Sequence, residues 1–362
     1  MRTRKSKIAV GLSGGVDSSV AAALLMEQGH EIIGFFMMIF DKSLNVETSG
    51  RHTCYGPGEK EDLESAAMVC KRLGIPFHVV DLKNEYRNHV LDYVRREYLA
   101  GRTPNPCVVC NHRLKFGFLL EKARADGLDF DMFATGHYAR IARCGDRYLL
   151  KRALDPSKDQ SYFLYALSQE QLAHTVFPLG TYTKAQAKKI AASVGLETSV
   201  RPESQDFIAG NGYASLFSRE EMREGDIVDI QGNIIGKHSG IIRYTVGQRK
   251  GLGIASGRPL YVLSLDVTRN RVVVSDRKDL FSESFSAGDL NFIAVERLIR
   301  PLEVKVKIRL NHQPADASLL PDENERVKVI FKKPQMALAP GQSAVFYSGD
   351  TVVGGGTIER TL

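Results

Sequence analysis

The chain has no apolar run long enough to span a bilayer, no internal repeat and no low-complexity tract. Those absences exclude a membrane-spanning helix, a solenoid and a low-complexity chain. Cysteine is sparse and odd in number: Cys54, Cys70, Cys107, Cys110 and Cys144. Such a set excludes a disulfide scaffold. The basic start, Met1-Arg2-Thr3-Arg4-Lys5, leads straight into an apolar strand, with no signal-peptide core between them. Together these features predict a reducing cytoplasmic setting in which some thiols have chemical roles. Acid is the minority charge: 42 Asp and Glu face 49 Lys and Arg, a formal net charge of +7. That excess favours a polyanionic partner. With 43% apolar and 25% charged residues, the composition is that of a globular protein, and 362 residues predict two or three domains.

The first half alternates strands and helices. Strands are expected at 7–10, 31–38, 77–80 and 130–134, and helices at 18–28, 59–73 and 113–125. Continuous apolar runs such as 31–38 suit buried parallel strands. The pattern predicts an α/β fold, a doubly wound parallel sheet with ligands at the carboxyl ends of its strands. Ser168 with Gln171, and Thr183 with Gln186, spell two capping boxes. The stretch 201–212 reads as a linker or active-site loop. Beyond Gly225 the chain turns to strands and glycines, with a hairpin expected at Thr268-Arg269-Asn270. Val304, Val306, Ile308 and Leu310 alternate with Lys305, Lys307 and Arg309, which places a core face opposite a cationic one. A small central β domain and a C-terminal β-barrel are expected.

Two clusters carry chemistry. Gly11-Leu12-Ser13-Gly14-Gly15-Val16-Asp17-Ser18 lies between the first strand and first helix. Small residues let the backbone close on a phosphate, and the helix N-terminus supplies free N–H groups. The Walker Gly-Lys-Ser/Thr ending and the G-x-G-x-x-G pattern are both missing. The loop is similar to the pyrophosphate loop of ATP pyrophosphatases, which cleave ATP to AMP and pyrophosphate and leave adenylate on a substrate oxygen. Gly251-Leu252-Gly253 is no fingerprint, since the third glycine is out of register and no helix follows. The second cluster is Gly101-Arg102-Thr103-Pro104-Asn105-Pro106-Cys107-Val108-Val109-Cys110-Asn111. Its prolines predict an extended loop before a Cys-x-x-Cys pair, which can bind metal, exchange disulfide or hold a low-pKa thiolate. Zinc would need two more ligands, and there is no second Cys-x-x-Cys. A helix starting near Asn111 would lower the Cys110 thiol pKa.

With these clusters, Ala134–Arg140 (ATGHYAR), Lys158–Phe163 (KDQSYF), Tyr244–Leu252 (YTVGQRKGL) and Pro340–Gln342 resemble, in order and over the whole length, the tRNA-specific 2-thiouridylase (MnmA/TrmU) family. The resemblance implies an ATP pyrophosphatase domain at 1–205, a central β domain at 206–282 and a β-barrel domain at 283–362. It implies adenylation of O2 of the wobble uridine (position 34), then cysteine-borne sulfur transfer to C2, giving 2-thiouridine, AMP and pyrophosphate. Gly11, Leu12, Ser13, Gly14, Gly15, Val16, Asp17, Ser18, Met37 and Gly136 would bind ATP. Cys110 matches the nucleophile. Asn105, Pro106 and Cys107 would surround the target base, and His137, Lys158, Asp159, Gln160, Arg309 and Gln342 match tRNA-contacting positions. The Gly14 and Gly15 amides and the Ser13 and Ser18 hydroxyls would hold pyrophosphate, with Asp17 placing Mg²⁺ or capping the loop. Tyr138 and Tyr162 are either base-stacking or core residues.

The chain departs from the family at Pro202-Glu203-Ser204-Gln205-Asp206-Phe207-Ile208, where many members carry a second catalytic cysteine. Cys54, Cys107 and Cys110 are therefore expected to converge, either as three ligands of a [4Fe–4S] cluster or with Cys54 or Cys107 as the resolving thiol. Expected partners are the anticodon arm of tRNA and a sulfur donor, either a persulfide carrier, a cysteine desulfurase or sulfide. No membrane is expected, and the chain is expected to be a monomer. Two other readings stand beside this one: a pyrophosphatase-loop amidotransferase or ligase, and a non-catalytic tRNA-binding module.

Overall fold

The computed structural model describes residues 5–44, 46, 53–196, 206–208, 212–323 and 325–361. They divide into two compact units. The first takes Met1–Val90, Cys107–Ser215 and Asp350–Val352, and the second Leu91–Pro106, Leu216–Gly349 and Val353–Leu362.

The strands of the first unit are β1 (Lys7–Gly11), β2 (Glu31–Met38), β3 (Thr53–Tyr55), β4 (Phe77–Asp81), β5 (Met132–Thr135), β6 (Ala139–Cys144), β7 (Arg147–Arg152), β8 (Thr175–Val176) and β9 (Asp206–Ile208). Its main helices are α1 (Val16–Glu27), α2 (Glu59–Leu73), α3 (106–125), α4 (Gln169–Ala173) and α5 (Lys184–Ser193). The sheet order is β4-β2-β1-β5-β8, with every pair parallel. From β1 the chain winds outward through β2 to β4, then returns to β5 on the other side. That reversal opens a crevice at the carboxyl ends of β1 and β5, where Gly11 is paired with Thr135. Ala9 and Val10 of β1 have no exposed surface, as a central strand covered on both faces requires.

α1 packs Val16, Val20 and Leu24 against Ala187 and Ala191 of α5 and against Tyr138. Each large apolar side chain buried there contributes roughly 1.5–3 kcal/mol. Both expected capping boxes form, Ser168 with Gln171 and Thr183 with Gln186. The helix expected at 113–125 instead begins at Pro106, whose fixed φ suits a first helical position. It runs as an α turn over Pro106–Val109, a π-helical stretch over Cys110–Phe118 and an α segment over Leu119–Ala125. The stretch 201–212 falls mostly outside the described residues; its described part is the short strand β9 and residue 212.

In the second unit β10 (Gly225–Val228), β11 (Ile234–His238), β12 (Tyr261–Asp266) and β13 (Arg271–Ser275) form a sheet in the order β11-β10-β13-β12. The β12–β13 hairpin turns at Asn270, φ +51°. The strands β14 (Phe281–Phe292), β15 (Leu302–Lys307), β16 (Ala315–Asp322), β17 (Arg326–Met336), β18 (Ser343–Ser348) and β19 (Thr351–Thr361) run in the order β14-β17-β16-β15-β18-β19. Pairing of β14 with β19 closes the barrel and removes both edges. Val304, Val306 and Ile308 are buried as the alternation predicts. Leu310 is not: β15 ends at Lys307, and Leu310 is exposed. Lys307 also departs from the expected solvated face and is buried.

Candidate active site

The phosphate-type loop sits at the carboxyl end of β1. Gly15 is the N-cap of α1, with φ −91° and ψ 169°, and no side chain caps the helix. The first-turn amides therefore have no acceptor within the helix. Gly14 has φ +73°, and a Cβ there would stand 2.5 Å from the Asp62 carbonyl oxygen, so only glycine fits. Ser65 donates its hydroxyl to the Gly14 carbonyl at 3.1 Å. Ser18 is buried; its Oγ accepts from Ser13 N–H at 3.2 Å and donates to the Gly15 carbonyl at 3.2 Å. Ser18 thus shapes the loop from within, while Ser13 is exposed. Uncapped amides, a turn restricted to glycine and an exposed hydroxyl fit an anionic phosphate chain.

The Thr135–Tyr138 segment leaves β5 against this loop. A Cβ on Gly136 would lie 2.5 Å from Ser18 N and 2.6 Å from the Asp17 carbonyl carbon. Tyr138 is buried and donates its hydroxyl to Asp17 Oδ1 at 2.8 Å. Lys184 Nζ lies 2.8 Å from each Asp17 oxygen. Both Asp17 oxygens are thus engaged by a cation, and one of them by a phenol as well. Lys184 is a site residue that motif reading missed; its only signal was the Thr183–Gln186 box, which sets residue 184 at the first position of α5. Tyr162 is buried and packs edge-on against Phe163 at 5.4 Å, so both tyrosines take the core role. Met37 stands near the end of β2, opposite Val80. The loop after β2 is fixed by Glu59, whose Oε1 accepts from Ile39 N–H at 2.6 Å and Phe40 N–H at 2.8 Å. Burial raises the Glu59 pKa above the usual glutamate value.

Cys107 lies in the first turn of α3 and Cys110 one turn further on. The expectation of a thiol activated just before a helix start is corrected. Cys110 is inside the helical run, and burial pushes its thiol up to about 11, against a smaller lowering by Lys115 and a further raise from Cys54. Asn111 beside it is buried, donates Nδ2 to the Phe163 carbonyl at 3.1 Å and leaves Oδ1 without a partner. Cys54 is exposed on β3, which pairs in parallel with β9 so that Thr53 meets Asp206 and Tyr55 meets Ile208. The residues just before β9, 202–205, lie outside the described ones. Tyr55 stacks on the buried Tyr86 at 5.1 Å and 3°. The Tyr86 hydroxyl, raised mainly by burial, is raised further by Cys110, Cys54 and Cys107. The three thiols do not assemble a metal site: among the described residues no group of three or more His, Cys, Asp or Glu side chains is placed to hold an ion. Cys70 is buried with its thiol pushed up to about 12, and Cys144 is exposed.

The positions matched to tRNA contact differ in what they offer. In the first unit, His137 lies 2.7 Å from Thr135 Oγ1, and burial pushes its ring pKa well down. The Asp159 carboxylate is buried, accepts from Arg152 Nε at 2.8 Å and from the Ala153 and Ser161 amides at 3.2 Å. Gln160 Oε1 accepts from Tyr138 N–H at 2.9 Å, and Lys158 is partly exposed. In the second unit, Asn105 donates Nδ2 to Ser343 Oγ at 3.2 Å and its N–H to Tyr93 at 3.2 Å. Gln342 donates to the Thr103 and Pro104 carbonyls at 3.3 and 3.0 Å. Asn105 and Gln342 thus both anchor the 103–105 loop, while Arg309 is exposed. Lys305 pairs with Asp316 at 2.9 Å.

Three family models match in succession: the tRNA methyl transferase HUP domain over residues 6–209, the tRNA methyl transferase PRC-barrel domain over 216–276 and the Aminomethyltransferase beta-barrel domain over 282–358. The chain is similar to the tRNA-specific 2-thiouridylase MnmA of Acetivibrio thermocellus, with 46% identity over 98% of this chain and 99% of that protein. It is similar to the tRNA-specific 2-thiouridylase MnmA of Clostridium botulinum Alaska E43, with 44% identity over 100% of each. Among solved structures, NMN synthetase from Francisella tularensis aligns over 55% of this chain and 66% of its own at 16% identity and a TM-score of 0.34, too distant a likeness to bear on the site.

Proposed function

This chain belongs to the MnmA family of tRNA-specific 2-thiouridylases, and we propose from that premise that it is an ATP-dependent tRNA-uridine 2-sulfurtransferase. The similarity along the whole chain is the observation that carries the reading. The uncapped start of α1 behind a glycine-restricted loop supports it chemically. In this reading the amides of Gly14 to Asp17 and the Ser13 hydroxyl receive the triphosphate, and Met37 and Gly136 flank the adenosine. Attack of O2 of uridine 34 on the α-phosphorus expels pyrophosphate and converts O2 into part of an AMP leaving group. Mg²⁺ would be held chiefly by the phosphates, with Asp17 nearby and engaged by Tyr138 and Lys184.

Cys110, carrying a persulfide from an external donor, attacks C2 with its terminal sulfur, and AMP departs with O2. A second thiol, Cys54 or Cys107, then attacks the Cys110 sulfur. A protein disulfide forms and the thiocarbonyl is released. An external dithiol returns two electrons and two protons to the disulfide. The described residues present no site prepared for a [4Fe–4S] cluster, and no step passes through one. Lys158 and Arg309 are the cations offered to tRNA, while Asp159, Gln160, Asn105 and Gln342 support the loops that carry their neighbours. We retain the three-domain division at 205/206 and 282/283, a monomeric state and a cytoplasmic setting as parts of this reading. No described helix is long and apolar enough to cross a membrane.

The test is anaerobic incubation with ATP, Mg²⁺, unmodified tRNA, a dithiol and a persulfide donor, followed by mass spectrometry of the digested tRNA. 2-Thiouridine together with one AMP per thiouridine is expected. Absence of both products would refute the proposal.

A further inference from the structure

The Asp17 carboxylate stands in the first turn of α1, behind the loop. A negative charge suits an empty helix N-terminus but opposes a triphosphate arriving at the same amides. Two groups far away in sequence engage it, Tyr138 at 2.8 Å and Lys184 at 2.8 Å from both oxygens. Lys184 is held at both ends. Its backbone N–H donates to Asp155 Oδ2 at 3.2 Å, and the Thr183–Gln186 box fixes its helix start. α5 in turn packs Ala187 and Ala191 onto Val16 and Val20 of α1. The side chains are 13% exposed for Lys184 and 27% for Asp17. In such an enclosed pair, loss of one partner leaves the other charge largely uncompensated.

We propose that Lys184 is a positioning residue for ATP, which neutralises and holds Asp17 so that the Ser13–Ser18 loop accepts the triphosphate. The proposal rests on the reading of this loop as the ATP site. Lys184 acts through Asp17 and makes no contact with the nucleotide.

The test compares wild type, Lys184→Met, Lys184→Arg and the double variant Asp17→Asn/Lys184→Met. Affinity for α,β-methylene ATP with Mg²⁺ is read by calorimetry, and KM and kcat from tRNA-dependent AMP formation. Lys184→Met is expected to weaken binding and raise the KM for ATP by about 10- to 100-fold, the effect of an uncompensated charge close to the phosphates. Its kcat stays within about threefold, because uniform binding is lost rather than transition-state binding. Lys184→Arg keeps the charge and most of the affinity. The double variant recovers to within about fivefold of wild type, since a neutral amide needs no counter-ion. It also keeps the test open if the single variant does not fold. Unchanged affinity in a folded Lys184→Met overturns the proposal, as does a folded double variant that recovers nothing. Wild type that fails to bind the analogue overturns the reading of the loop together with it, whereas a binding wild type confines any failure to Lys184.

Discussion

The Cys110 thiol should be a poor nucleophile in the resting protein. Burial moves its pKa from the ordinary thiol value of 9.0 up to about 11. At pH 7 that leaves about one thiolate in 10⁴ molecules, against about one in 100 for an unperturbed thiol, a difference of about 3 kcal/mol. The assay is alkylation by iodoacetamide from pH 6 to 11.5, followed by mass spectrometry of the peptide carrying Cys110. The rate at this residue should still be rising at pH 10, while exposed Cys54 and Cys144 supply internal reference peptides. Because the folded pKa is raised, the associated stability is present in full below pH 9.0 and is lost as pH climbs through about 11. The unfolding free energy of wild type, compared with Cys110→Ser, should therefore converge over that window. An alkylation midpoint at or below pH 8.5 would refute the burial argument and restore a helix-activated thiol. The functional corollary is that sulfur loading depends on the donor's attack or on substrate-induced deprotonation, not on a standing thiolate.

Gly136→Ala should destabilise the first unit by about 1–3 kcal/mol, because its Cβ would stand 2.5 Å from a backbone nitrogen of α1; a Tm within 1 °C of wild type would contradict this. Tyr138→Phe removes one hydrogen bond to Asp17 at 2.8 Å and should cost about 1–2 kcal/mol in urea unfolding with little change in the m-value. Asp159→Ala should lower Tm while leaving the salt dependence of tRNA binding unchanged, since the carboxylate is spent on Arg152 and two amides. Arg309→Ala should reduce the salt slope of tRNA binding by about one unit with Tm unchanged, as expected for an exposed phosphate contact. Equal salt slopes for the Asp159 and Arg309 variants would show that burial does not separate the two roles.

Much of the fold was legible in the chain. Residues 31–38 form a buried parallel strand because an uninterrupted apolar run suits nothing else of that length, and β2 spans those residues. The two capping boxes are written in four-residue windows, and both form. The helix start at Pro106 was misread because a proline after Asn105 looks equally like a loop and like a first helical turn. The cationic face of β15 was only half right. Alternation says which side a lysine takes, but not that the strand ends at Lys307 or that Lys307 is covered.

By itself, the sequence determined the parallel sheet, the phosphate-type loop between β1 and α1, the Cys-x-x-Cys pair and the family. These rest on local patterns and on the order of motifs, which need no knowledge of distant contacts. Only the tertiary structure decided what the loop's carboxylate does. Its partners lie 121 and 167 residues away, and no short window contains either contact. The same holds for the thiols. Spacing put Cys107 and Cys110 in one Cys-x-x-Cys pair, but their place inside a helical run and the pairing of β3 with β9 were decided by the folded chain. A pKa is set by the whole shell of atoms around the sulfur, and a motif describes only one side of that shell.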